Sequence, residues 1–120
     1  MRAARWDTGA ELGGGWRRTL RRRTSSTEPI DLAIGEPVTV RVWDEAGALD
    51  VHDQPRVPQV EVVGTVSTDR MLATLILTTN HIATIGVGEW EYAITITDPV
   101  SGQPEVLIRG YFHVSGSVSD

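Results

Sequence analysis

The sequence predicts a small all-β fold, a sandwich or barrel. Val, Ile and Thr recur with a period of two over most of the chain, the pattern of half-buried strands. Turn residues interrupt those runs at intervals of about ten. The 12 Gly and 6 Pro, with charged residues at only 22%, do not suit a helical bundle. At 120 residues one domain is expected. A chain of that size buries roughly two-thirds of its unfolded surface, which leaves little room for a cleft between domains.

The clearest strand is 37–44, PVTVRVWD. Val38, Val40 and Val42 share one face, and Thr39, Arg41 and Trp43 share the other, so a polar face carries one aromatic contact residue. Residues 45–58 hold Gly47, Pro55 and Pro58 among Asp50, His52 and Asp53 and read as a loop, with a short strand around Leu49–His52. In 59–67, Val60, Val62 and Val66 face one side, and Gly64 marks a bulge or a close backbone approach. Residues 71–79 are apolar on both faces, which predicts a central strand.

Residues 80–88 break the alternation. Thr79 or Asn80 can cap a single helical turn that Gly86 and Gly88 end, a crossover between two sheets. Strands 89–98 and 105–114 then form a hairpin around the turn DPVSGQP. The core side of the first carries Trp90, Tyr92, Ile94 and Ile96, and that of the second carries Val106, Ile108, Phe112 and Val114.

Charge is unevenly distributed. All 11 basic residues are Arg. Arg2, Arg5, Arg17, Arg18, Arg21, Arg22 and Arg23 precede residue 25 against only Asp7 and Glu11, so residues 1–24 carry +5 and the remainder −10. The segment WRRTLRRRT threads as a strand with Trp16, Arg18, Leu20, Arg22 and Thr24 on one face and Arg17, Thr19, Arg21 and Arg23 on the other. A helix would have only Trp16 and Leu20 as an apolar stripe, too narrow to dock. An edge strand or extended arm whose guanidiniums meet carboxylates is the preferred reading, because the planar fork of Arg makes bidentate bonds. The expected division is a 1–15 arm, a 16–116 β-sandwich and a 117–120 tail.

Several chemistries lack their residues. Without Cys there is no disulfide, thiolate ligand or cysteine nucleophile. His52, His81 and His113 lie in different elements without helical ligand spacing, and His52 with Asp50 and Asp53 is the nearest approach to a metal cluster. The paired acids Asp44-Glu45, Asp50 with Asp53, and Glu89 with Glu91 read as solvated surface. Gly13-Gly14-Gly15 lacks the phosphate-loop pattern, and no Ser sits in a nucleophile elbow. No cofactor, metal site or catalytic residue is expected. Neither a membrane span nor a signal peptide is read from the sequence, so a soluble product is expected. Arg with interleaved Trp6 and Trp16 could contact phosphates and bases, but the −10 body would repel a polyanion. Protein carboxylates are the expected targets, with Arg2, Arg5, Trp6, Trp16, Arg17, Arg18, Arg21, Arg22, Arg23 and Trp43 as interface residues.

The order of motifs adds a resemblance. Glu28-Pro29-Ile30-Asp31-Leu32-Ala33-Ile34-Gly35 precedes the valine strand, Gly88-Glu89-Trp90-Glu91-Tyr92 opens the penultimate strand, and Gly110-Tyr111-Phe112-His113-Val114 closes the domain. Over residues 16–114 this resembles the small β-sandwich modules of bacteriophage minor-tail, long-tail-fibre and baseplate proteins, of the type found in phages of actinobacteria. The sequence departs from that pattern where Ala33 replaces Thr, Gly35 comes one residue late, and Trp90 replaces Tyr. The resemblance implies an Ig-like antiparallel β-sandwich of about seven to eight strands with a basic N-terminal arm. It also implies a non-enzymatic adaptor in the virion tail, made in the host cytoplasm, present as a homo-oligomer or in several copies, and bound to other tail or baseplate proteins. Two alternatives stand beside it. One is a receptor- or carbohydrate-binding module using Trp43, Tyr111 and the 45–58 loop; the other is a capsid decoration protein.

Overall fold

In the computed structural model, residues 4–21, 34–44, 52, 54, 56–97 and 102–116 are described. The alternating stretches form an all-β fold of two sheets. The larger sheet runs β5 (Val60–Val63), β4 (Val38–Val42), β8 (Gly88–Thr97), β9 (Pro104–Ser115), with β1 (Ala4–Arg5) and β2 (Thr8–Glu11) both on the far edge of β9. The smaller sheet runs β3 (Trp16–Arg21), β7 (Leu72–Leu77), β6 (Thr65–Val66).

The core lies between the sheets and follows the period of two. Val38, Val40 and Val42 on β4 are fully buried, as are Ile94 on β8 and Phe112 and Val114 on β9. Leu75 and Leu77 of β7, with Trp16 and Leu20 of β3, close over them from the smaller sheet. Phe112 joins the two layers edge to face, with its ring centroid 5.6 Å from Trp16 and 6.1 Å from Tyr92. The expected β8–β9 hairpin is present, with a register shift at Ile94/Thr95.

The helical crossover is also present. Helix α1 (Thr79–Ile85) carries the chain from β7 in one sheet to β8 in the other and buries Ile82 and Ile85. Its cap is Thr78, one residue before the expected position. The Thr78 hydroxyl accepts from the His81 backbone N–H, and His81 Nδ1 accepts from the Thr78 N–H at 3.0 Å, so histidine takes the third position of a capping box. No helix among the described residues is long and apolar enough to cross a membrane.

The structure corrects four expectations. Residues 59–67 are two strands, because the chain changes sheets at Gly64. A Cβ there would lie 2.6 Å from Leu75 Cδ2 and 2.7 Å from Thr74 O, so only glycine passes between the layers. Strand β7 is central in its sheet, but only one of its apolar faces is covered: Leu72 and Ile76 are exposed.

The third correction concerns the N-terminus. Where an extended arm is expected, residues 4–11 form strands that run parallel to β9, with Ala4 opposite Ile108 and Thr8 opposite Phe112. The sheet is therefore mixed, not purely antiparallel. Two glycines allow the approach: a Cβ on Gly110 would sit 2.4 Å from Trp6 O, and one on Gly9 would sit 2.3 Å from His113 O. Between the two short strands, the Asp7 carboxylate accepts the Tyr111 N–H at 3.0 Å, so β9 keeps a partner where backbone pairing lapses. As a fourth point, these additions and the break at Gly64 raise the strand count to nine among the described residues. Residues 1–3 and 117–120, and the expected strand at Leu49–His52 apart from His52 itself, lie outside the described residues.

Candidate protein-interaction surface

The arginine-rich segment divides at the turn through Gly13, and its side chains meet different surroundings. Arg5 on β1 is exposed, 3.6 Å from Asp7, with its guanidinium 5.4 Å from the Tyr111 ring centre. Arg17 and Arg21 project from the outer face of β3 and are exposed. Arg18 follows the alternation inward and is half-buried between Trp16 and Leu20. Its guanidinium lies 3.4 Å from the centre of the Trp6 ring, a cation–π stack across the seam between the sheets. The Arg18 Nε–H is buried without an acceptor. Arg2, Arg22 and Arg23 lie outside the described residues.

Two of the expected aromatic anchors belong to the fold. Trp16 is 7% exposed; it packs on Phe112 and donates its indole N–H to Thr8 Oγ1 at 3.0 Å. Its place on the apolar face of β3 removes it from any surface. Trp6 is half-buried against the core and covered by Arg18, and its carbonyl accepts the Tyr92 hydroxyl. That phenol is 1% exposed. Burial pushes its pKa up to about 12, with the Arg18 charge opposing and Asp7 adding to the rise. The Tyr92, Trp6 and Arg18 cluster is a positioning device that ties the first strand to both sheets.

Trp43 stands on the polar face of the larger sheet, as expected, but is half-buried. Its indole N–H donates to Arg56 O at 3.0 Å, and Arg56 forms a bidentate pair with Asp44. Beside it, Arg41 bridges Glu61 at 2.6 Å and the Thr95 hydroxyl at 2.9 Å. The Trp43 backbone N–H donates to Glu91 O, and Glu91 is opposite Tyr111 in the β8–β9 register. Trp43, Glu91 and Tyr111 thus form a lateral row across three strands, with the outer two about 10 Å apart at the usual strand spacing. Sequence reasoning named both aromatics as contact residues but read Glu91 only as solvated surface, because its place in the row depends on register.

Among the described residues, no three His, Cys, Asp or Glu side chains gather as a group that could hold a metal ion. His52 and His113 are exposed, and His81 is engaged at the helix cap. The outer side of β3 carries Arg17 and Arg21, and the Arg21 charge acts on Asp69. Strand β3 pairs only with β7 among the described residues and so lies at the edge of the smaller sheet there. No protein-family model matches the chain, and no curated protein matches it.

Proposed function

We propose that this chain is a non-enzymatic structural component of a bacteriophage virion, an Ig-like minor-tail or baseplate adaptor that docks onto neighbouring tail proteins through its basic N-terminal quarter. The observation that carries the docking role is the placement of Arg17, exposed on a strand that lies at a sheet edge among the described residues, in a chain that is acidic after residue 24. The Arg17 guanidinium is placed to pair with a neighbour's carboxylate, and multi-copy assembly follows from a basic N-terminal quarter and an acidic body in one chain.

The Ig-like reading rests on strand order. The series β5–β4–β8–β9 corresponds to the C′CFG order and β3–β7–β6 to the BED order of variable-type domains. It rests also on the corner before β8, where the Trp90 indole N–H bonds to Gly86 O at 3.0 Å. In Ig domains a tyrosine hydroxyl bonds back to upstream backbone at that corner. The virion assignment rests on the order of sequence motifs.

The test is a double charge reversal, Arg17→Glu with Arg21→Glu, in a chain tagged for recovery from purified virions. The expected result is a folded protein, by circular dichroism and thermal melt, that no longer enters tails. Normal incorporation of the variant sinks the docking role, and a wild-type chain missing from virions sinks the phage assignment.

The row of Trp43, Glu91 and Tyr111 favours a second reading, recognition of a host-surface receptor or glycan. Tyr111→Ala would then abolish adsorption while virions still assemble.

A further inference from the structure

We infer that residues 4–11 are an exchangeable strand: where copies of the chain are crowded together, the segment leaves the edge of its own β9 and takes the same place on β9 of a neighbouring copy. The inference rests on the multi-copy part of the adaptor reading and names the contact through which copies join.

The segment is held by groups that belong to the body of the sandwich. Its two short strands pair with β9. Outside those ladders, the Trp6 N–H donates to Arg109 O at 3.1 Å, the Trp6 carbonyl accepts the Tyr92 hydroxyl, Asp7 accepts the Tyr111 N–H at 3.0 Å, and Thr8 Oγ1 accepts the Trp16 indole N–H at 3.0 Å. The same segment of a second copy satisfies each of these partners equally well, so exchange preserves the bonds and changes only which chain supplies them.

The connection to the body is suited to opening. Residues 12–15 are Leu-Gly-Gly-Gly, and the turn is closed by the Gly14 N–H on Glu11 O at 2.9 Å, with Gly13 at a left-handed φ of 92°. Glycine passes from that conformation to an extended one without a steric penalty. Extended, these four residues reach about 14 Å, which carries β2 away from the sandwich it leaves.

Shape and chemistry select the occupant. A Cβ on residue 110 would sit 2.4 Å from Trp6 O, and one on residue 9 would sit 2.3 Å from His113 O, so the strand that lies here needs glycine opposite His113. Just before that glycine it needs a hydroxyl for Trp16, a carboxylate for the Tyr111 N–H, and an aromatic ring under Arg18 whose carbonyl meets Tyr92. Trp6-Asp7-Thr8-Gly9 meets these four requirements in order, which makes the occupant another copy of the same segment. A tethered strand competes at an effective concentration of about 1 mM, so the dilute chain stays closed and exchange belongs to the crowded state.

The chain has no cysteine, and Glu11 and Ser115 are register partners. Glu11→Cys and Ser115→Cys, in separate chains of different mass, are mixed, equilibrated and oxidised at about 10 µM and at about 2 mM, below and above the effective concentration. At the higher concentration the disulfide between the two chains should form about tenfold faster than one between Glu11→Cys and Thr65→Cys, an exposed position in the smaller sheet; at the lower concentration the two rates should match. Deleting Gly13 and Gly14 denies the chain its turn, and that variant should sediment as a dimer with residues 4–11 still protected from amide exchange.

Rates that match at both concentrations overturn exchange, as does a monomeric deletion variant whose 4–11 amides exchange freely. Virions that hold several copies of the two cysteine variants without a disulfide between them overturn exchange and leave the adaptor role standing. Interchain disulfides in solution from a chain that is missing from wild-type virions sink the adaptor role and leave exchange standing.

Discussion

Residues 4–11 and 16–21 are neighbours in chain and space, both short, both extended and both bearing arginine, yet one is built into a sheet and the other is left at an edge. The first runs parallel along β9, anchored by the Trp6 N–H on Arg109 O at 3.1 Å and the Leu12 N–H on Ser115 O at 2.8 Å. The second pairs with β7 alone. Their net charges differ, −1 over residues 4–11 and +3 over residues 16–21, but charge does not decide which backbone finds a partner. The difference is steric: Gly9 and Gly110 clear the path between β2, β1 and β9, and Asp7 supplies an acceptor at the gap. Strand β3 has a buried face of its own in Trp16 and Leu20, which fixes it to the core and leaves its outer arginines exposed. A stretch bearing arginine is thus absorbed where its backbone finds a close partner and displayed where only its side chains differ from a core strand.

The comparison breaks most severely at Phe112, whose ring touches both Trp16 of the open strand's layer and Tyr92 of the other. Phe112→Ala should cost about 3–5 kcal/mol in urea denaturation. A loss under about 1 kcal/mol would mean that the two layers are not joined there.

Gly110→Ala sets a methyl against the Trp6 carbonyl and should cost about 1–3 kcal/mol. Its signature is local: faster amide exchange over 4–11 with β3–β7 protection retained. Uniform loss of protection would show that the parallel strands are not a separable addition. Deleting residues 1–15 is a poorer probe of docking, because it also removes β1, β2 and the Thr8 acceptor of Trp16.

Tyr92→Phe removes the hydroxyl that holds Trp6 and should cost about 0.5–1.5 kcal/mol. It also carries a pH signature. The folded phenol is raised to about 12 from an ordinary value of 10.0, so the native state keeps its proton longer than the unfolded chain. Wild-type stability is therefore complete below about pH 10 and falls as pH climbs toward 12, a step the Phe variant should lack. Parallel alkaline profiles would contradict the buried, bonded phenol. Arg17→Glu should have the smallest stability effect, within about 0.5 kcal/mol, since the side chain is exposed. A large loss would show that Arg17 serves the fold and not a partner.

Much of this architecture is legible along the chain. The valine alternation of β4, the β8–β9 hairpin and the helical crossover each arise from local periodicity and local turn chemistry. Arg18 sits on the same face as Trp16 and Leu20 in the sequence pattern itself, a sign that one arginine of the cluster turns inward. Two features escaped. The division of 59–67 at Gly64 depends on Leu75 and Thr74 of another strand, and the parallel pairing of residues 4–11 depends on contacts about a hundred residues away. Neither partner is encoded near the segment it organises. The aromatic anchors were misjudged for the same reason: Trp16 looks like an interface residue among arginines until Phe112 lies against it.

The sequence by itself determined that the chain is all-β, where its strands alternate, that it is acidic after residue 24, and that the basic charge gathers before it. These are properties of period and composition, which act locally. Only the tertiary structure decided which arginines face outward and which face the core, because exposure depends on what packs opposite. It buried Trp16, covered Trp6 with Arg18, consumed residues 4–11 in pairing with β9, and left Arg17 and Arg21 on an edge with no second strand among the described residues.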